Sequence, residues 1–201
     1  NPASISLAIS KPAAGITQSA YMVHDSQKVN LVREILRAKG KDLSHVLIFA
    51  SSIKSVREIK KTLNRAGMRA SEMHSGLDQS EREDTIRDFK NKKIRILVAT
   101  DILSRGIDIK EIELVINYEV PHDAEDYVHR IGRTARADRT GEAITLINQK
   151  QVRNFKDIEK LIEKEVPKLA LPKGFEKAPE YTIATKNKKK KQWTNFKKKH
   201  N

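Results

Sequence analysis

Apolar residues recur along this chain in two alternating rhythms. After a lead-in of residues 1–16, broken by Pro2, Pro12 and Gly15 and lacking periodicity, SAYMVH (19–24) reads as a strand. From about Gln27 the spacing becomes helical: Val29, Val32 and Leu36 share a face, Ser26 is placed to cap the start, and Gly40 lies just past the end. HVLIFAS is a nearly unbroken apolar run, the pattern of a strand covered on both faces of a parallel sheet. Ile53, Val56, Ile59 and Leu63 return to helical spacing, Gly67 closes that segment, MRASEMH supplies a short strand, and residues 78–91 read as another helix. IRILVAT repeats the buried-strand pattern. The loop DILSRGIDIK, the strand LVINYE, a short DAEDYVHRIG helix and the strand EAITLI follow. A last amphipathic helix with Phe155, Ile158, Leu161 and Ile162 runs to about Val166, and Pro167 and Pro172 mark the exit from it.

Strands alternating with helices predict an α/β fold, a parallel sheet joined by right-handed crossovers with helices on both faces. The chain has 201 residues, 38% of them hydrophobic, which supplies one such core and not comfortably two. The expected layout is a linker over residues 1–16, one domain over 17–166, and an extension over 167–201 with a basic, disordered tail.

Composition narrows the chemistry. The absence of cysteine removes disulfides, thiolate nucleophiles and cysteine metal sites. No run approaches the roughly 18 apolar residues of a membrane span, and NPASISLAISKPAAG lacks the basic start and apolar run of an export signal. A cytoplasmic protein with no membrane partner is the expectation. A net charge of +14 favours a polyanion, and eight of those charges are Lys186, Lys188, Lys189, Lys190, Lys191, Lys197, Lys198 and Lys199, in a stretch without an acid after Glu180. Trp193 and Phe196 lie among them, a mixture suited to binding RNA by charge and stacking. An inert solubilising tail is the alternative.

In open α/β sheets ligands gather where strands deliver their C-terminal ends into loops. Ser51 and Ser52 follow one apolar strand, Thr100 to Asp108 follow a second, and a third leads to His129, Arg130, Arg133 and Arg136, so these residues are expected along one edge. HRIGRTAR sets three arginines and a histidine in eight residues. Arginine's fixed fork of donors suits phosphate oxygens, while ion pairing with Asp126 and Asp138 on a solvated face accounts for the cluster equally well. In TDILSRGIDI, Gly106 permits close backbone approach and Asp108 offers a carboxylate to ribose hydroxyls; a capped turn explains the same residues. His74 and His24 have no second ligand at a supporting spacing, so no metal site is expected, and Tyr118, Tyr127 and Phe49 read as core.

ATDILSRGIDI resembles motif V of DEAD-box helicases, YVHRIGRTAR motif VI, VLIFASS motif IV, and HSGLDQSERE the histidine-glycine and Q-x-x-R segment that follows it, in the family's order and spacing. KQVRNFKDIEKLIEKEVPKLALPKGFE resembles the closing segment of the bacterial RhlE-like subgroup. The resemblance implies a RecA-like domain, the C-terminal one of two, in an ATP-dependent RNA helicase. Arg133 and Arg136 would then be arginine fingers on the ATP γ-phosphate, Gly106 would lie near the nucleotide, and Asp108 would bind its ribose. Ser52, Arg82 and Thr100 would contact RNA phosphates, with the start of the helix at Ser52 offering free N–H groups. His129 and Arg130 would face the partner domain, and Arg105 would help couple the two domains.

Two departures stand out: Ala135 occupies a position usually glycine, and Ser51-Ser52 replaces Asn or Thr followed by Thr or Lys. Neither a G-x-x-x-x-G-K-[ST] phosphate loop nor an Asp-Glu-Ala-Asp quartet occurs in the chain. The expectation is a monomeric piece that begins near an interdomain linker, with ATP, Mg2+ and RNA as ligands and the ion held mainly by an N-terminal RecA-like domain of the same protein. A DNA helicase and a non-catalytic RNA-binding or partner-docking module remain the competing readings.

Overall fold

The computed structural model describes residues 15–40, 43–101, 112–134 and 141–183. Strand β1 (Ile16–Met22) leads through a 3₁₀ turn, Asp25–Gln27, into helix α1 (Lys28–Ala38). β2 (Val46–Phe49), α2 (Ile53–Arg65), β3 (Ala70–Met73), α3 (Gln79–Lys90) and β4 (Ile96–Ala99) follow. β5 (Leu114–Asn117), α4 (Ala124–Ile131), β6 (Gly141–Ile147), α5 (Val152–Leu161) and β7 (Lys168–Leu169) complete the order. The strands form one seven-stranded sheet, β3-β4-β2-β5-β6-β1-β7. Every pair is parallel, so all the strands end at the same edge.

Each central strand divides its side chains between two cores. Val46 and Ile48 of β2 join Ile96, Val98, Leu114 and Ile116 beneath α1 and α2, which contribute Leu31, Val32, Ile35, Val56, Ile59 and Leu63. The alternate residues Leu47 and Phe49 face the other way, with Leu97, Ala99, Val115 and Phe89 of α3. A third cluster packs Tyr127 and Ile131 of α4 and Val152, Phe155 and Ile158 of α5 against β1 and β6. Period-two alternation within strands thus meets helical stripes from both sides, giving the RecA-like α/β architecture. Phe49 and Tyr127 are buried as expected; Tyr118 is half-buried, with the Lys28 ammonium 5.7 Å from its ring centre.

Helix ends follow local chemistry. Ser52 caps α2, its Oγ accepting the Ser55 N–H at 3.1 Å. Asp78 and Glu81 cap α3 reciprocally, at 2.8 and 2.9 Å. Gly40 and Gly67 take positive φ, 76° and 75°, just after α1 and α2.

Three sequence expectations are corrected. β1 starts at Ile16, earlier than residue 19, because seven residues pair in register with β6 from Gly141 to Ile147. Ser26 does not cap α1: it lies inside the 3₁₀ turn, and Gln27 takes the cap position without a side-chain bond. α5 ends at Leu161, short of Val166; Glu163 turns the chain at φ 51°, and the Val166 N–H donates to the Glu159 carboxylate at 2.8 Å. The returning chain adds β7 beside β1, where the Ala20 N–H donates to the Pro167 carbonyl at 2.8 Å. Among the described residues no helix is long and apolar enough to cross a membrane.

Candidate functional site

Three of the expected site residues meet at the C-terminal ends of β2, β4 and β3. The Ala50 N–H donates to the Ala99 carbonyl at 2.9 Å and the Thr100 N–H to the Met73 carbonyl at 3.1 Å, carrying the sheet spacing past the last paired residues. Ser52 and Thr100 therefore emerge from neighbouring strands. Arg82, in the first turn of α3, reaches back toward the same edge, its Nη2 donating to the Ser75 carbonyl at 3.0 Å just beyond β3. Three adjacent strands about 4.8 Å apart place these residues along a line roughly 10 Å wide. Ser52 is exposed, and Thr100 and Arg82 are half-buried.

The first turn of α2 is partly committed. The Ser51 N–H donates to Glu119 Oε2 at 2.7 Å, and the Ser55 N–H to Ser52. The N–H groups of Ile53 and Lys54 remain at the open end of the helix, where backbone donors and dipole favour an anion.

A buried guanidinium braces this edge. Arg130 of α4 is only 2% exposed. It grips Asp101, the residue after Thr100, through two bonds: Nε to Oδ1 at 2.6 Å and Nη2 to Oδ2 at 2.7 Å. Its Nη1 donates to the Glu119 carbonyl at 3.1 Å and lies 3.4 Å from Asn117 Oδ1, and Phe49 lies 5.1 Å beneath the guanidinium. Asn117 in turn donates to Thr145 Oγ1 at 3.2 Å. The Glu119 side chain also reaches Ser55 Oγ at 3.4 Å. Arg130 thus links the loop ends of β4 and β5, and Glu119 passes the link to the start of α2.

The HRIGRTAR residues part company here. His129 is exposed and Arg130 is turned into the domain, contrary to its expected orientation toward a partner domain. The ion partner of Arg130 is Asp101, from another strand, and not Asp126; Asp138 lies outside the described residues. Arg133 is half-buried and follows the end of α4, its N–H donating to the Arg130 carbonyl at 3.2 Å. Thr134 Oγ1 donates to the Ile112 carbonyl at 2.7 Å, before β5 begins, and packs so tightly against Gly141 that a Cβ there would collide with it. Arg133 is therefore carried away from the edge that holds Ser52 and Thr100: an eight-residue helix descends about 12 Å, roughly the length of a four-residue strand. Of the residues expected along one edge, Arg130 reaches it through Asp101, whereas Arg133 stands next to Thr134, whose contacts are with Ile112 and Gly141 at the opposite ends of β5 and β6. Arg105, Gly106, Asp108, Ala135 and Arg136 lie outside the described residues.

Both histidines considered as ligands have structural surroundings. His74 is fully buried, its Nδ1 accepting the Gly76 N–H at 3.2 Å with Glu72 3.7 Å from Nε2, and His24 Nε2 lies 3.2 Å from the Lys177 carbonyl. Among the described residues no group of three or more His, Asp or Glu is arranged to hold a metal ion. Sequence reasoning passed over Asp101 and Glu119. Both stand directly beside segments singled out for chemistry, which was the available signal.

Residues 27–138 match the family described as the helicase conserved C-terminal domain. A probable ATP-dependent RNA helicase of Methanocaldococcus jannaschii is 39% identical over 156 residues, covering 78% of this chain and 42% of that protein. The crystal structure of a DEAD box protein from the hyperthermophile Methanococcus jannaschii superimposes with a TM-score of 0.72 at 39% identity, over 78% of this chain and 42% of that one. The structure of S. cerevisiae Dbp5 bound to RNA and ADP BeF3 gives a TM-score of 0.73 at 27% identity, over 79% and 42% of the two chains. This chain spans between 25% and 42% of the length of such curated relatives. With the matched family covering the sheet from α1 to past α4, this chain belongs to the helicase conserved C-terminal domains, as a domain of the DEAD-box RNA helicase type.

Proposed function

We propose that this chain is the RNA-clamping and ATP-finger half of an ATP-dependent RNA helicase. The observation that carries the reading is the convergence of Ser52, Thr100 and Arg82 at the C-terminal ends of three adjacent strands. A hydroxyl, a guanidinium and open helix N–H groups in one line suit successive phosphates and read no base edges, so binding would be independent of sequence. The likeness to a Dbp5 structure holding RNA and ADP BeF3 supports the same ligand pair.

In this reading Arg133 and Arg136 are fingers for the ATP γ-phosphate, and Gly106 and Asp108 serve the nucleotide, with Asp108 on the ribose. The separation of Arg133 from the Ser52 edge supports two sites, one for RNA and one for nucleotide, on a single rigid domain. Arg105 and His129 couple this domain to an N-terminal RecA-like partner, which supplies the phosphate loop and most of the Mg2+ ligands. Arg130 joins them as a positioning residue, through Asp101 and Glu119. Because a finger stabilises transition-state charge only after the two domains close, hydrolysis becomes conditional on closure. The protein acts in the cytoplasm as a monomer and falls in the RhlE-like bacterial subgroup, on the strength of its closing segment. The basic tail tethers RNA through its lysines, Trp193 and Phe196.

ATP turnover tests the assignment. The isolated chain is expected to hydrolyse no ATP above background, and fusion to its natural N-terminal domain to restore RNA-stimulated turnover. Arg133→Ala in that full protein is expected to lower kcat by about a thousandfold. Full turnover in the variant would remove Arg133 from the reaction, and equal stimulation by DNA of the same length would remove the preference for RNA.

A further inference from the structure

α2 carries an unusual outer face. Lys54, Arg57, Lys60, Lys61 and Arg65 stand against a single acid on this helix, Glu58. Of these cations only Lys60 has an ion partner, Glu72 at 3.2 Å; Lys54, Arg57, Lys61 and Arg65 are exposed and have none within the described residues. The cations of α1 are neutralised by contrast: Arg33 and Arg37 share Glu34 at 3.4 and 2.9 Å, and Lys28 meets Asp25 at 3.1 Å. Residues 54, 57, 61 and 65 follow each other by three or four positions, so they form one stripe with rungs about 5–6 Å apart and a total rise of roughly 16 Å. Beside the stripe, Arg57, Lys60, Lys61, Asn64, Arg65 and Glu72 line a groove of about 590 Å³ along β3, an edge strand of the sheet.

We propose that this stripe is a second RNA contact, which takes the sugar-phosphate backbone onward from the Ser52 edge and down the outside of α2. The proposal rests on the RNA reading above and extends it to a surface that reading does not use. Two features favour RNA over another polyanion. The stripe begins at Lys54, in the same first turn whose open N–H groups face the Ser52 site, so one continuous strand meets both. Its rungs are regular and span several nucleotides, the arrangement of a groove that tracks a backbone without reading bases. Unpaired cations also release more condensed counterions than cations already neutralised by acids, so this face gains more from a phosphate chain than α1.

The test uses this chain with a labelled oligouridylate of about 20 nucleotides, long enough to extend past the edge site. The combined variant Lys54→Gln, Arg57→Gln, Lys61→Gln, Arg65→Gln is compared with a charge-matched control, Lys90→Gln, Arg153→Gln, Lys160→Gln, Lys164→Gln, all at exposed positions. The α2 variant is expected to bind roughly tenfold more weakly, with a log-log salt slope shallower by up to about 3, and the control to change far less. An α2 variant within twofold of the control, with the same slope, overturns the proposal; the Ser52 reading survives that result if Arg82→Ala and Thr100→Ala still weaken binding. Oligouridylate displaced equally well by polyglutamate of matched charge overturns the assignment to RNA in favour of an acidic protein. A parent chain that binds no oligouridylate overturns both readings together. Unchanged circular dichroism melts of the two variants establish that the comparison is between folded proteins.

Discussion

The two halves of the sheet are locked by different means. Over β3, β4, β2 and β5 the strands are four residues long, and their C-terminal edge is braced from within by Arg130. Over β6 and β1 the strands pair across seven residues, and the lock lies outside, where Glu159 of α5 accepts from the Val166 N–H at 2.8 Å, from Tyr181 Oη at 2.5 Å and from Lys168. The inner brace touches residues adjacent to Ser52 and Thr100, whereas the outer one touches none of the candidate site. Damage to the first should disturb stability and RNA binding together, and damage to the second stability alone.

The largest expected effect separates these outcomes. Arg130→Ala takes two bonds from the Asp101 carboxylate, removes the donors to the Glu119 carbonyl and near Asn117 Oδ1, and removes a guanidinium that lies over Phe49. Breaking one partner of a buried ion pair costs about 3–5 kcal/mol. Half-exposure of Asp101 places the expectation toward the lower end, because water can reach its carboxylate. Arg130→Lys keeps the charge and loses the fork, so it should recover only part. Urea unfolding measures both. A loss below about 1 kcal/mol in Arg130→Ala would put this bridge with ordinary surface pairs.

The same arginine shows where reading the sequence stops. Helical stripes such as Val56, Ile59 and Leu63, and apolar runs such as VLIF and ILVA, announce their own burial because a repeated local pattern meets the core. Arg130 and Arg133 are the same residue type three positions apart, yet one is buried and the other half-exposed. What separates them is Asp101, delivered by a different strand, and no local pattern encodes that meeting. β7 was hidden for a related reason: Lys168 and Leu169 are too few to show alternation, and only the turn at Glu163 brings them to β1. Ser52 was legible as a helix start because its role is local. The Glu119 carboxylate against Ser51 was not, since the two are 68 residues apart.

A smaller effect tests whether the edge depends on its own helix start. Ser52→Ala removes the acceptor for the Ser55 N–H, which should cost about 1 kcal/mol. Glu119 still holds Ser51, so the turn should persist, and Ser52→Gly should cost only a few tenths of a kcal/mol. Thermal unfolding of the pair distinguishes a lost cap from a lost packing contact, since the latter would make the two variants equally unstable.

The outer lock should reveal itself as a slope in pH. Burial alone would raise the Glu159 pKa, but the bonds from Lys168, Tyr181 and the Val166 N–H outweigh it and hold the carboxyl below its ordinary value of 4.5. The unfolded chain therefore takes up a proton near that value while the folded chain still refuses one. Stability from Glu159 is complete above 4.5 and drains away as pH falls through the lower folded value. Glu159→Gln cannot titrate, so the gap in melting temperature between parent and variant should be widest near neutrality and close as the solution is acidified. Because the lock is remote from Ser52, Thr100 and Arg82, oligouridylate binding at neutral pH should stay unchanged while the chain remains folded. A gap that holds constant from about pH 7 to pH 3.5 would mean that the carboxylate's charge contributes nothing and that the clasp is held by packing of Tyr181 on Phe155 instead.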